Sequence, residues 1–154
     1  MTDSIRSILR PDCTRVRVAA ASKESLLRYL GELIYVHVPG SSADELLRGF
    51  LAREELGSTG IGDGVAIPHC RLARCTVTHG ALVKLDAPID FDAVDRQPVD
   101  LVFALLVPEK DAEQHLQALA MLARRFNQPT FRQALREADD QQMLYELAIS
   151  RDEG

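Results

Sequence analysis

The chain has 154 residues, 46% hydrophobic and 27% charged, which favours a single globular domain, residues 1–154, with a real and mainly aliphatic core. Its formal net charge is −5 and its basic residues are scattered, which argues against a nucleic-acid partner. No window reaches the roughly 18 apolar residues of a membrane span, residues 1–10 lack the apolar run of a secretory leader, and three cysteines without framework spacing suit a reducing cytoplasm.

In chain order, residues 1–14 read as a loose lead-in with a short apolar turn at Ile5, Ile8 and Leu9, broken by Pro11. Residues 14–18 alternate with period two and predict a strand, at an edge. Ser22 then caps a helix whose Leu26, Leu27, Leu30, Leu33 and Ile34 recur at helical spacing, ending before Pro39 and Gly40. Ser42 with Glu45 has the spacing of a capping box. Leu46, Leu47, Phe50 and Leu51 form the apolar face of a second helix, with Arg53 in its last turns and Gly57 as its stop.

Residues 57–64 hold four glycines in eight positions, the mark of a tight loop. The loop lacks the Gly-Lys-[Ser/Thr] of a nucleotide P-loop and the third glycine of a dinucleotide fingerprint. It reads as a connecting turn, and whether its N–H groups meet a phosphate stays open. Residues 65–67 predict a short strand that Pro68 and His69 end. Residues 76–85 predict a longer strand. Residues 86–98 predict a loop packed down by Ile89, Phe91 and Val94. Residues 99–107 are continuously apolar, the pattern of a central strand buried on both faces. A helix follows over residues 109–125, with Leu116, Leu119, Ala120 and Ala123 as its stripe. Its acidic start and Arg124–Arg125 end suit the helix dipole. Pro129 opens a short helix, and residues 141–149 a last one. The order predicts an α/β layered domain with a sheet and helices on both of its faces.

Four histidines are candidates for chemistry. His37 reads as a helix-end residue. His79 reads as structural, although adjacent antiparallel strands would bring it beside His69. His115, in the first turn of a helix, sits near the positive end of a dipole, which favours the neutral ring. His69 follows a strand and a proline, a position that fixes the ring while presenting it, and an imidazole is substantially neutral and nucleophilic at physiological pH. Cys70 and Cys75 beside His69 and His79 do not match zinc-ligand spacing. A metallohydrolase built on His69, His79 and His115 lacks ligands at metal spacing, so no metal or cofactor is expected.

The stretch Arg53-Glu-Glu-Leu-Gly-Ser-Thr-Gly-Ile-Gly-Asp-Gly-Val-Ala-Ile-Pro-His69 resembles the signature of fructose/mannitol-type enzyme IIA domains of the bacterial phosphoenolpyruvate-dependent phosphotransferase system. The stretch Gln97-Pro-Val-Asp-Leu-Val-Phe-Ala-Leu-Leu-Val-Pro108, followed by His115-Leu116, extends the likeness over nearly the whole chain. The Gly-Ser-Thr-Gly-Ile-Gly wording is closest to the nitrogen-regulatory branch. The resemblance implies a mixed β-sheet flanked by helices on both faces. It implies that His69 accepts a phosphoryl group on its remote ring nitrogen, and that His115 and Arg53 line the site. The donor it implies is an HPr-like phosphocarrier. Downstream it implies either regulatory target proteins or, in a sugar-transport role, a IIB domain. No metal, cofactor, nucleic acid or membrane span enters this reading. A ring tautomer fixed by a backbone carbonyl, and an apolar rim at Ile61 and Leu72 for the donor to press on, complete the expectation. Cys70 stands where the family commonly has a small residue such as glycine.

Overall fold

Residues 4–150 are described by the computed structural model; residues 1–3 and 151–154, which the expectations of one domain and of no leader also cover, lie outside them. The chain opens with a single helical turn, α1 (Ile5–Ile8), and runs straight into β1 (Leu9–Val18). The apolar turn forms where it was predicted, but the rest of the expected loose lead-in is strand, and Pro11 lies inside it. It is tolerated because the β1 ladder skips from Leu9↔Gly80 to Thr14↔Leu82, leaving residues 10–13 in a bulge that needs no N–H at Pro11. As expected, β1 is an edge strand.

α2 (Lys23–Ile34) starts at Ser22, whose side chain accepts from the Ser25 N–H while Ser25 reaches back. A 3-10 turn, Tyr35–His37, closes it. α3 (Ala43–Glu55) starts at Ser42, which accepts from the Glu45 N–H. Only that half of the expected capping box forms, and the Glu45 carboxylate turns instead toward Arg74, 3.6 Å away.

β2 (Gly60–Gly62) and β3 (Val65–Ala66) form a tight antiparallel pair around Asp63 and Gly64, both at positive φ. The glycine-rich stretch is therefore largely a hairpin. Gly60 is required by close approach: a Cβ there would lie 2.7 Å from the Ala93 Cβ and 2.9 Å from its Cα. β4 (His69–Leu72) resumes the strand that the proline was expected to end. β5 (His79–Ile89) starts and finishes later than residues 76–85. Ile89 and Phe91 pack down as anticipated, but Val94 is 76% exposed and Ala93 is buried in its place.

β6 (Val99–Pro108) is the centre of a six-stranded sheet of order β1-β5-β6-β3-β2, with β4 also on β6 beyond β3. β1/β5, β3/β6 and β4/β6 are parallel; β5/β6 and β2/β3 are antiparallel, so the sheet is mixed. Alternate β6 residues feed two cores. Val102, Ala104 and Leu106 pack with Leu26, Leu30, Leu46 and Phe50 of α2 and α3. Leu101, Phe103, Leu105 and Val107 pack under α4 (Ala112–Phe126), α5 (Pro129–Glu137) and α6 (Gln141–Ala148). Burying each of the larger side chains contributes about 1.5–3 kcal/mol, which is why a strand covered on both faces is apolar without alternation.

α4 starts later than predicted, at Asp111, whose carboxylate accepts from the Gln114 N–H. Its buried stripe is also different: Ala118, Met121, Leu122, Arg125 and Phe126 face the sheet, and Leu116 faces solvent. The rotation of the helix is set by Phe126, which meets Phe103 and Phe131 edge-on, and by Arg125, whose guanidinium lies 4.2 Å over the Phe131 ring. A stripe drawn from aliphatic residues alone missed both.

Candidate functional site

β3 and β4 run along the same side of β6 with one common offset, Val65↔Leu101 and His69↔Leu105. The ladder lapses between them because Pro68 has no N–H to give. At this break the carbonyl of Ile67 meets the Nδ1 of His69 at 2.8 Å. The ring is thus clamped to its own strand, while its other nitrogen, Nε2, faces the end of α3. There Arg53 Nε approaches Nε2 at 3.2 Å, and Arg53 Nη1 donates to the Gly57 carbonyl at 2.9 Å.

These contacts assign the tautomer. An arginine Nε–H can only donate, so Nε2 of His69 accepts and carries the free electron pair. The ring proton then resides on Nδ1 and is donated to the Ile67 carbonyl. The backbone carbonyl anticipated from the sequence is that of Ile67.

His115 reaches the same place from the first turn of α4. Its ring centroid is 5.3 Å from that of His69, at an interplanar angle of 63°. Its Nε2 is buried and has no hydrogen-bond partner among the described residues. Burial lowers the pKa of His69, and the Arg53 and Arg71 charges push the same way against the opposing Ile67 hydrogen bond. Burial also lowers that of His115, with His69, Arg71 and Arg53 adding to the effect. Both rings are held neutral near pH 7.

The residue pair next to this trio supplies its rigidity. Glu54 accepts from the Thr59 N–H at 3.2 Å and from the Thr59 hydroxyl, and it pairs with Lys23 at 2.7 Å. Ser58 Oγ donates to the Phe91 carbonyl and accepts from the Gly60 N–H. The N–H groups of Gly57, Thr59, Gly60 and Asp63 are therefore already engaged within the protein. The glycine-rich stretch acts as a fixed wall that carries Arg53 and His69, and these four N–H groups form no phosphate cradle.

All three residues singled out from the sequence, His69, His115 and Arg53, come together. His79 does not join them. It pairs with Leu106, on the far side of β6 and on the opposite sheet face from His69, which pairs with Leu105. A site built on His69, His79 and His115 is excluded by that parity. Leu72 also fails as a rim residue, because it packs against the α2–α3 core. Ile61 is 41% exposed, and Leu116 and Leu56, next to His115 and near Arg53, are 67% and 83% exposed. Arg71 was missed. It shares a strand face with His69 by the period-two rule, is exposed, and its side chain makes no hydrogen bond or ion pair among the described residues. Cys70 points to the opposite face, where its Sγ fills the space left by Gly49 on α3; a Cβ at Gly49 would lie 3.0 Å from it.

Residues 7–150 match the family described as phosphoenolpyruvate-dependent sugar phosphotransferase system, EIIA 2. The chain is 41% identical over 150 residues to the nitrogen regulatory protein of Pseudomonas aeruginosa, covering 97% of each. It is 41% identical over 147 residues to the nitrogen regulatory protein of Escherichia coli (strain K12), covering 95% of this chain and 90% of that one. Among solved structures, nitrogen regulatory protein IIA-Ntr from Neisseria meningitidis superposes with a TM-score of 0.87 at 36% identity, covering 94% of this chain and 98% of that one. The Escherichia coli mannitol enzyme IIA, solved in complex with phosphorylated enzyme IIB, shares the fold with a TM-score of 0.72 at 18% identity over 94% of this chain and 100% of that one. No helix among the described residues is long and apolar enough to cross a membrane.

Proposed function

The chain belongs to the EIIA type 2 family of the phosphoenolpyruvate-dependent phosphotransferase system, and from that premise we propose that it is a nitrogen-regulatory phosphocarrier that takes a phosphoryl group from an HPr-like protein onto Nε2 of His69. The observation that carries this reading is the Nδ1–Ile67 and Nε2–Arg53 pair of contacts, which leaves Nε2 of a neutral ring unprotonated, its electron pair held only by a hydrogen bond from Arg53.

The donor presents a phosphohistidine. The His69 Nε2 electron pair attacks phosphorus in line, a P–N bond forms to His69, and the P–N bond to the donor breaks. The donor imidazole leaves with the bonding pair. Arg53 must first release Nε2, and its guanidinium then meets the equatorial oxygens, for which its planar fork is suited. His115, in its Nε2–H form, donates to a phosphoryl oxygen, which resolves its unpartnered buried nitrogen. The positive charge that develops on His69 is spread through Nδ1–H to the Ile67 carbonyl. Exposed apolar Leu56 and Leu116, next to Arg53 and His115 in the chain, suit the footprint of a protein donor. The dianion left on His69 changes the charge of this face, so unmodified and phosphorylated forms bind different regulatory targets.

A second reading, transfer to a sugar-specific IIB domain, is favoured only by the mannitol enzyme IIA fold seen with its IIB partner. Incubation with phosphoenolpyruvate, enzyme I and an HPr-like donor tests the proposal. It requires an acid-labile, alkali-stable label that is lost in His69→Ala. Onward transfer of that label to a IIB domain would support the transport reading instead.

A further inference from the structure

A second constellation lies away from His69, at the bulge in β1. Residues 10–13 leave the ladder between Leu9↔Gly80 and Thr14↔Leu82, and a bulge re-aims the side chains it carries. Here it brings Asp12 and Cys13 to His37, the last residue of the 3-10 turn after α2. The Asp12 Oδ2 lies 3.1 Å from the His37 Nε2. One carboxylate oxygen, the Cys13 Sγ and one His37 ring nitrogen all lie within 4.8 Å of one another.

We propose that Asp12, Cys13 and His37 form a binding site for a divalent cation of the zinc class. The donor set is sulfur, nitrogen and oxygen. Thiolate and imidazole select zinc-like ions over magnesium or calcium, which take oxygen ligands. With tetrahedral bonds of about 2.0–2.3 Å, ligand atoms stand about 3.3–3.7 Å apart. The Asp12–His37 pair is near that spacing, and the Cys13 thiol, which now points to the Leu33 carbonyl at 3.6 Å, exchanges that contact for the cation. Cys13 is buried and Asp12 is exposed, so the cation enters from the carboxylate side.

The surroundings act in both directions. Arg10 Nε holds the other Asp12 oxygen at 3.2 Å, which orients the carboxylate as an outer partner does at metal sites. The charges of Arg10 and Arg15 oppose a cation. His79, at the start of β5, lies outside this three-residue group, and water completes the coordination. As the S–metal bond forms the thiol proton leaves to solvent, and the His37 nitrogen that faces Asp12 gives up its contact with the carboxylate to face the cation.

The site shares no residue with the His69 cluster, so it stands or falls independently of the phosphocarrier reading. The test uses the full chain after chelator treatment, titrated with Zn²⁺ by calorimetry and with Co²⁺ by absorption. The expected result is one cation per chain, a thiolate-to-cobalt charge-transfer band in the near ultraviolet, and at least tenfold weaker binding in Cys13→Ser and in His37→Gln. Should Cys13→Ser not fold, Asp12→Asn and His37→Gln, at less buried positions, carry the comparison. No stoichiometric uptake by the wild type, or undiminished uptake in His37→Gln, overturns the proposal.

Discussion

Arg53 Nε and the Ile67 carbonyl hold opposite nitrogens of the His69 ring, at 3.2 and 2.8 Å. One contact leaves an electron pair on Nε2 and the other keeps the proton on Nδ1. The arginine comes from the end of α3 and the carbonyl from the break between β3 and β4, so the geometry depends on how helix and sheet pack. Gly49 and Cys70 make that packing close.

Replacing Arg53 by Gln removes the charged donor while leaving the core untouched. The rate of phosphoryl transfer to His69 is expected to fall by roughly a hundredfold, in the range seen when one preorganised donor is removed from a developing negative charge. Unfolding free energy should change by less than about 1 kcal/mol. Stopped transfer assays and denaturant titration of the same sample measure both.

His115→Ala should slow transfer and leave His69 as the modified residue. His115→Asn, which retains a donor, should recover part of the rate. A rate for His115→Ala equal to that of the wild type would remove His115 from the site.

The lowered pKa values of His69 and His115 have a sign that can be checked. A neutral ring is favoured in the folded chain, so stability is full above the ordinary imidazole pKa of about 6.5 and is lost as pH falls through the lower folded values. The ring signals of His69 and His115, followed by NMR, should titrate below that ordinary value. Stability measured between about pH 7 and pH 5 should fall less steeply in His69→Gln than in the wild type.

Gly60→Ala should destabilise the chain by about 1–3 kcal/mol, because the new methyl would lie 2.7 Å from the Ala93 Cβ and 2.9 Å from backbone. As the β2–β3 hairpin leads directly into His69, transfer should slow as well. Urea titration and the transfer assay check the two effects.

Cys70 is packed behind the histidine and has its thiol pushed up to about 12, mainly by burial. An alkylating reagent at neutral pH should leave it unmodified in the native protein and label it on unfolding. Mass spectrometry of digests distinguishes it from Cys13 and Cys75.

The elements whose pattern follows from burial or from a local cap were legible in the sequence. β6 shows its two-sided burial as an uninterrupted run, and Ser22 and Ser42 mark their helix starts. The signs that failed are those decided by tertiary contacts. Pro11 looked like a breaker because nothing local announces a bulge. Leu116 looked like core because the stripe of α4 turns on Arg125 stacking over Phe131. Glycines 57–64 looked like a loop because a hairpin against Ala93 needs the missing side chain at Gly60. At the site, spacing alone made His69 a candidate. His115 was marked only by its place in the first turn of a helix, and Arg53 by nothing local, so both needed the likeness to known enzyme IIA sequences. Arg71 was reachable from strand parity.

The central claim is that Nε2 of His69 takes the phosphoryl group. The direct measurement is ¹⁵N and ³¹P NMR of the ¹⁵N-histidine-labelled chain after incubation with phosphoenolpyruvate, enzyme I and the HPr-like donor. The account predicts one phosphohistidine, at His69, with phosphorus coupled to Nε2 and the proton retained on Nδ1. Phosphorus on Nδ1, phosphorus on another residue, or no phosphorylation of the wild-type chain would contradict it.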